Sequence, residues 1–365
     1  VKILYIITGL GMGGAERQLC DVSDELSHLK HEIIIISLTG ENINKPVDDN
    51  IKLINLQMEK TFFGFLKAYS KARRLIKDFK PEVVHSHMVH ANLFARLLRI
   101  TLKIPKLICT AHSNNEGGRL RMLAYRLTDF LADLTTNVSP NAVNSFIEKR
   151  ASKKGRICSI SNGINTNKFA YNQFFRDEKR RELSLENSTP LLLSVGRLTD
   201  AKDYPNLLKA FSMLSLPISP HLVVIGSGEL QTTLKTISRE LGIDERVHWL
   251  GLRTDVAEWY SACDLFILSS KWEGFGLVVA EAMSCERPVV VTNAGGVADI
   301  VENSSFIVPT ENSEELALKI TEVIGLSNIE LENICYKNRQ RIIDNFSITE
   351  VSTKWLSIYK KTFIR

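Results

Sequence analysis

Two carboxylates eight positions apart, Glu273 and Glu281, frame a glycine-marked turn inside the stretch Asp264 to Glu302. DLFILS before the turn reads as a short buried strand and GLVVAEAMSC after it as a helix, so Lys271 to Phe275 is expected to join strand to helix. Such a turn leaves the helix's first amides unpaired. With the positive end of the helix dipole, they suit a phosphate or a sugar's hydroxyls. Gly274 and Gly276 let a ligand come close to the backbone. Residues eight apart on a helix fall nearly on one face, so Glu281 can point to the side of the loop. Its neighbours Val278, Val279, Ala280, Ala282 and Met283 are apolar, and a carboxylate among them needs a partner.

Other charged and polar residues stand at the ends of expected strands. Arg197 and Lys202 follow the strand PLLLSVG, and two cations converging there suit a diphosphate, one binding through a guanidinium fork and the other as a point charge. VVHSH puts His85 and His87 at one strand end and TAHS puts His112 at another, where open α/β sheets bind ligands. For each histidine the competing role is a structural hydrogen bond. The turn Gly9 to Arg17 formally contains G-x-G-x-x-G. The next strand, EIIIISL, ends in Ser37, Leu38 and Thr39, without the acidic residue that a nicotinamide dinucleotide's ribose calls for.

The elements that must position these residues alternate along the chain. Strand-like runs at 51–56, 82–87, 106–111, 135–139 and 157–161 are separated by helical patterns around 62–79, 89–102, 118–132 and 140–150, which argues for a doubly wound parallel sheet. The polar segment Asn167 to Ser188 has no sustained apolar period and reads as a linker. After it, PLLLSVG, HLVVIG, VHWLG, DLFILS, PVVVT and FIVP form a second set of strands. A chain of 365 residues with 44% apolar and 24% charged residues fits two globular domains. The end of the chain is expected to form an amphipathic helix with Val351, Trp355, Ile358, Tyr359 and Phe363 on one stripe.

Composition narrows the setting. No run of 18 apolar residues suggests a membrane span, and the opening VKILYIITGLGMGG reads as a first strand instead of a signal peptide. Six scattered cysteines without a C-x-x-C pair favour reduced thiols and a cytoplasmic setting. Residues 1–165 carry 24 Lys and Arg against 15 Asp and Glu, a balance of +9, while the remainder carries 22 against 26. Nucleic acid, anionic lipid and a phosphorylated substrate all suit a basic half, but no aromatic residues interleave a basic sheet to favour nucleic acid. Much of the positive charge lies in FFGFLKAYSKARRLIKDFKP. This segment reads either as a basic amphipathic helix on an anionic inner-membrane surface or as a core helix with a solvated face.

The motif E-G-F-G-x(4)-E, with the P-V-V strand and G-G turn after it, resembles the E-x(7)-E signature of the retaining glycosyltransferases of family 4, which have the GT-B fold. V-G-R-L-x(3)-K and the turn Ser161-Asn162-Gly163-Ile164-Asn165 are further points of likeness, and the resemblance spans essentially the full chain. It implies an α/β protein of two Rossmann-like lobes facing across a cleft. Residues 1–168 would bind the acceptor, residues 169–345 would bind the donor, and residues 346–365 would form a helix crossing back to the first lobe. The substrates implied are a nucleoside diphosphate sugar, UDP-linked before GDP-linked, and a lipid-linked glycan acceptor in bacterial surface polysaccharide synthesis.

By resemblance, Arg197, Lys202, His112 and Glu273 act at the reacting end of the donor, and Glu281 binds its ribose. Gly13, Gly14, Gly226, Leu252, Arg253, Gly274, Phe275, Gly276 and Leu277 complete the donor site, with Arg17, His85 and His87 on the acceptor side. No cofactor and no metal are implied, and the sequence holds no D-x-D. A sugar-nucleotide epimerase, a phosphorylase and a non-catalytic nucleotide-sugar binder are the rival readings. The chain departs from the family pattern at Ala298-Asp299 and at Ser304-Ser305-Phe306.

Overall fold

A computed structural model describes residues 1–114 and 116–362. The chain forms two units, one from Val1–Gly163 with the chain from Ile348 onward, the other from Ile164–Ser347. The first unit holds strands β1 (Lys2–Ile7), β2 (Glu32–Ser37), β3 (Lys52–Asn55), β4 (Val83–His87), β5 (Leu107–Thr110), β6 (Leu134–Asn137) and β7 (Ile157–Ser159). Its helices are α1 (Gly14–His28), α2 (Phe62–Phe79), α3 (Val89–Thr101), α4 (Arg119–Thr128) and α5 (Pro140–Glu148). All neighbouring strands are parallel, in the order β3-β2-β1-β4-β5-β6-β7.

The second unit runs α6 (Gln173–Glu182), β8 (Leu191–Val195), α7 (Tyr204–Ser212), β9 (His221–Ile225), α8 (Gln231–Glu240), β10 (Val247–Gly251) and α9 (Val256–Ala262). It continues with β11 (Leu265–Leu268), α10 (Leu277–Ser284), β12 (Val289–Thr292), α11 (Val297–Val301), β13 (Ile307–Val308), α12 (Ser313–Ile324) and α13 (Asn328–Phe346). Its parallel sheet has the order β10-β9-β8-β11-β12-β13. Both units are therefore Rossmann-like. In each, the strand order reverses beside the first strand, and the loops at the C-terminal ends of the strands on either side of that point form the natural binding crevice.

Continuous apolar strands bury both faces of the first sheet. Ile3, Tyr5 and Ile7 of β1 pack with Leu19 and Leu26 of α1 and with α14 (Ile348–Lys360), while Leu4 and Ile6 pack on α2 and α3. Val351, Trp355 and Tyr359 of α14 are buried in that first cluster, which ties the chain's last helix to the first unit. Phe363, expected on the same stripe, lies outside the described residues.

The segment expected to be a linker is instead part of the second unit's body. Within it, α6 packs on α9 through charge. Arg176 and Arg180 donate to Asp264 at 2.6 and 3.3 Å, and Lys179 pairs with Asp255 and Glu258 at 2.8 and 3.0 Å. Arg180 is 1% exposed. A helix that buries cations against carboxylates and carbonyl groups carries no apolar period, so hydrophobic patterning misses it. The unit boundaries accordingly fall at 163/164 and 347/348, not at 168 and 345.

Candidate active site

In the second unit, the loops after β8 and β11 flank the reversal of strand order. A single 3-10 turn, Asp200–Lys202, follows β8, and Asp203 then takes the left-handed conformation before α7 begins. Several contacts join the two loops. Ser269 Oγ donates to the carbonyl of Lys202 at 2.9 Å, and Lys271 N donates to that of Ala201 at 2.9 Å. Lys202 Nζ forms an ion pair with Glu273, whose Oε1 also accepts from Ser270 Oγ at 2.7 Å. Arg197, two residues past the end of β8, is exposed and makes no side-chain hydrogen bond or ion pair among the described residues. The structure thus joins Lys202 to Glu273 directly and leaves Arg197 in solvent on the loop after β8, so the cation expected to pair with Arg197 pairs with a carboxylate.

Two glycines make this loop packing possible. A Cβ on Gly226, where φ is +144°, would stand 1.9 Å from the carbonyl oxygen of Gly196. A Cβ on Gly228 would stand 2.4 Å from that of Leu198. The backbone after β9 therefore lies directly on the backbone after β8, which shapes the loop bearing Arg197.

After β11, Glu273 N donates to the carbonyl of Ala294 at 3.0 Å, which pins the turn to the Gly295-Gly296 segment. Phe275 is buried with its ring 5.7 Å from that of Phe346. Gly276 caps α10 at φ +97°, and no acidic residue occupies that helix's first turn, where Leu277 stands. Glu281, 4% exposed, accepts a hydrogen bond from Tyr260 Oη at 2.8 Å. The partner that an apolar helix demands for this carboxylate is thus a tyrosine on α9. Nothing in the spacing around Glu281 points to Tyr260, which arrives through packing alone.

Leu252 is 57% exposed after β10, but Arg253 is engaged: its guanidinium clasps Asp255 at 2.8 and 2.5 Å. Arg253 and Lys179 together hold the Asp255 carboxyl well below the usual carboxylate range.

The first unit's candidates gather around its own reversal point, between β1 and β4. Gly13 precedes α1, and the Glu16 carboxylate folds back so far that a Cβ on Gly13 would lie 2.2 Å from it. Gly14 opens the helix, and Arg17 Nε lies 3.8 Å from Asp21. His85 does not stand at a strand end, as its sequence suggests, but in the middle of β4. Its Nδ1 meets Tyr359 Oη at 2.7 Å and its Nε2 meets Thr110 Oγ1 at 2.6 Å. With both nitrogens engaged and the side chain 1% exposed, His85 is a core residue that lines the same small cavity as His87 and His112.

His87 and His112 come together, Nδ1 to Nε2 at 3.1 Å. Burial, reinforced by His85 and His112, holds the His87 imidazole well below its ordinary range, and burial lowers that of His112 to about 4. Beside them lies a small cavity of about 10 Å³, room for roughly one water, lined in part by Thr110, Gln18 and Trp355. Gln18 was not expected from sequence. Its Oε1 accepts from Gly163 N at 2.9 Å and so ties α1 to the Asn162-Gly163 turn.

Comparison with known proteins decides the family. Residues 12–168 match the model described as Glycosyltransferase Family 4, and residues 175–342 match that described as Glycosyl transferases group 1. The chain belongs to the family 4 glycosyltransferases. An uncharacterized glycosyltransferase of Haemophilus influenzae is 27% identical to this glycosyltransferase over 98% of this chain and 99% of its own. The UDP-Gal:alpha-D-GlcNAc-diphosphoundecaprenol alpha-1,3-galactosyltransferase of Escherichia coli is 23% identical over 98% of this chain and 96% of its own. Among solved structures, Anabaena HepE, crystallised with UDP and glucose, superposes with a TM-score of 0.83 at 21% identity, covering 98% of each chain. At that identity the likeness establishes the fold, GT-B.

Proposed function

We propose that this glycosyltransferase is a retaining, metal-independent enzyme that moves a sugar from a nucleoside diphosphate donor, UDP before GDP, to a lipid-linked glycan in bacterial surface polysaccharide synthesis. One observation carries the reading: the Lys202–Glu273 ion pair lies at the second unit's strand-order reversal, beside the N-terminus of α10, with exposed Arg197 on the same loop as Lys202. A departing nucleoside diphosphate gains negative charge that fixed donors must meet. In this reading Arg197, Lys202 and the amides of α10 meet it, with Glu273 on the donor sugar or its phosphate and Glu281 on the ribose. The acceptor attacks on the face from which the diphosphate leaves, and a donor phosphate oxygen takes its proton. His112, neutral because of its burial, lies on the acceptor-binding unit as a hydrogen-bonding group for the sugar.

The printed donor of the Escherichia coli relative is UDP-galactose, its acceptor is carried on diphosphoundecaprenol, and HepE binds UDP; these support the substrate classes. No helix among the described residues is long and apolar enough to cross a membrane. In this reading the enzyme works in the cytoplasm and meets an anionic inner-membrane surface through its basic first unit.

The test is transfer from a panel of nucleotide sugars to a short-chain lipid diphosphate glycan, with and without EDTA. Nuclear magnetic resonance of the first-formed product reads its anomeric configuration. An α-linked product from an α-linked donor, formed at an undiminished rate in EDTA, is expected. An inverted product, or activity lost to EDTA and restored by manganese, sinks the corresponding half of the reading.

A further inference from the structure

Helix α4 carries two apolar faces where a surface helix needs one. Met122 and Tyr125 point inward and join Phe146 in a buried cluster. On the other side Leu120, Leu123 and Leu127, with Phe130 on the turn that follows, are 83%, 47%, 64% and 73% exposed. Their spacing of three, four and three residues sets them along one stripe. Arg119, Arg121 and Arg126 are exposed on the same helix, and α4 contains no aspartate or glutamate.

The neighbouring helices extend this surface. α3 lies against both α2 and α4: Tyr69 Oη donates to the carbonyl of Leu97 at 3.2 Å, and Arg96 Nη1 donates to that of Tyr125 at 3.1 Å. On α3, Leu97 and Ile100 are 40% and 64% exposed. On α2, the apolar residues of the segment that reads either as a membrane-surface helix or as a core helix divide. Phe65, Tyr69, Leu75 and Ile76 pack on the core, whereas Phe62 and Leu66, with Phe63, stand in solvent next to exposed Lys67 and Lys71.

We propose that α4 is a membrane-docking helix that lies in the headgroup region of an anionic bilayer, its leucines and Phe130 turned to the acyl chains and its arginines to lipid phosphates. This rests on the reading that the acceptor is carried on a lipid, and it names the surface that holds the enzyme at that lipid. Contiguous exposed apolar area calls for a covering partner. Buried apolar side chains together with cations at the rim are what anionic bilayers bind in an interfacial helix. A second copy is a poor cover, because two such faces packed symmetrically would set arginines against arginines with no carboxylate on either helix.

The test is sedimentation of the full-length protein with vesicles of phosphatidylcholine alone or mixed with phosphatidylglycerol. Wild type is expected to bind the mixed vesicles, more weakly as salt rises, and the pure phosphatidylcholine vesicles far less. Leu123→Asp/Leu127→Asp should lose at least tenfold in vesicle affinity, and Leu120→Ser less, with melting temperature and nucleotide-sugar thermal shift unchanged. Arg73→Ser/Arg74→Ser/Lys77→Ser is the companion variant on α2. Loss of binding in that variant alone, with the α4 variants like wild type, would overturn the role of α4 while leaving a membrane-bound enzyme. Equal binding to both vesicle types, no binding to either, or a wild-type dimer in sedimentation equilibrium that Leu123→Asp dissolves would also overturn it. Transfer to a water-soluble acceptor is read separately: its absence in wild type counts against the proposed reaction and not against the docking helix.

Discussion

The turn after β1 and the turn after β11 each open a helix with a glycine, but the two helix ends differ electrostatically. At α1 the carboxylate of Glu16 lies over Gly13, so a negative charge already sits at the positive end of the dipole. At α10 the first turn of the helix holds no acid, and the one carboxylate on the turn before it, Glu273, is paired with Lys202 from the loop after β8. The same contrast runs through the polar residues behind each turn. The first unit gathers neutral imidazoles, His85, His87 and His112, all held below their ordinary titration range by burial. The second gathers ions, from Lys202 and Glu273 to the arginines of α6 around Asp264. Two Rossmann-like units with the same strand order therefore suit different ligands. In the proposed reading a diphosphate meets Lys202 and Arg197 at the second, and a neutral, hydroxyl-rich group meets the buried imidazoles at the first.

The largest expected effect tests whether ions hold the second unit together. Asp264 accepts from Arg176, from Arg180 and from Leu191 N at 2.8 Å, so Asp264→Ala leaves a buried guanidinium without its counter-ion. Urea denaturation should register a loss of roughly 3–5 kcal/mol in the second unit's transition and none in the first's. An equal shift in both would show that the two do not unfold separately.

Next comes the asymmetry of the two turns. Lys202→Ala is expected to lower turnover about a hundredfold, roughly 2.7 kcal/mol of barrier, while Glu16→Gln on α1 changes it little. Steady-state kinetics with saturating donor would erase the contrast if both variants lost activity alike.

A smaller effect is expected inside the second unit. Tyr260→Phe removes the hydroxyl that donates to the buried Glu281 carboxylate, which should weaken donor binding by about 1–3 kcal/mol without unfolding the protein. Calorimetric titration with UDP measures it; unchanged affinity would make Glu281 a structural residue.

The gentlest probe is pH. Histidines whose folded titration point lies below the unfolded value of about 6.5 bind more protons when unfolded, so stability falls as pH drops through that value. The fall should continue toward about 4, where His112 titrates in the folded chain. The first unit's denaturation midpoint should fall over this window, and His87→Gln should flatten the decline. A first unit indifferent to pH between 6.5 and 4 would mean that its histidines are hydrated in solution.

Much of this protein follows from local pattern. Apolar runs of strand length alternating with helical periods specify both parallel sheets, because a strand buried on two faces is mostly apolar, and KILYII, EIIIIS and LFIL are nearly so throughout. The E-G-F-G-x(4)-E spacing likewise places a turn and a helix where β11 gives way to α10, since glycine conformations and helix periodicity are local properties. Where chemistry depends on which chains meet, the sequence is silent. Helix α6 reads as a linker because its buried face is cationic, and only the fold brings Asp264, Asp255 and Glu258 to it. His85 and His87 look alike two residues apart. The pleat gives them one face, and only the arrival of Tyr359 and Thr110 makes the first a core residue, while His112 claims the second. Glu281 announces a need for a partner, and packing brings Tyr260 of α9 to it. Short-range periodicity settles the elements; partners distant in sequence decide the protonation, pairing and exposure of the groups those elements carry.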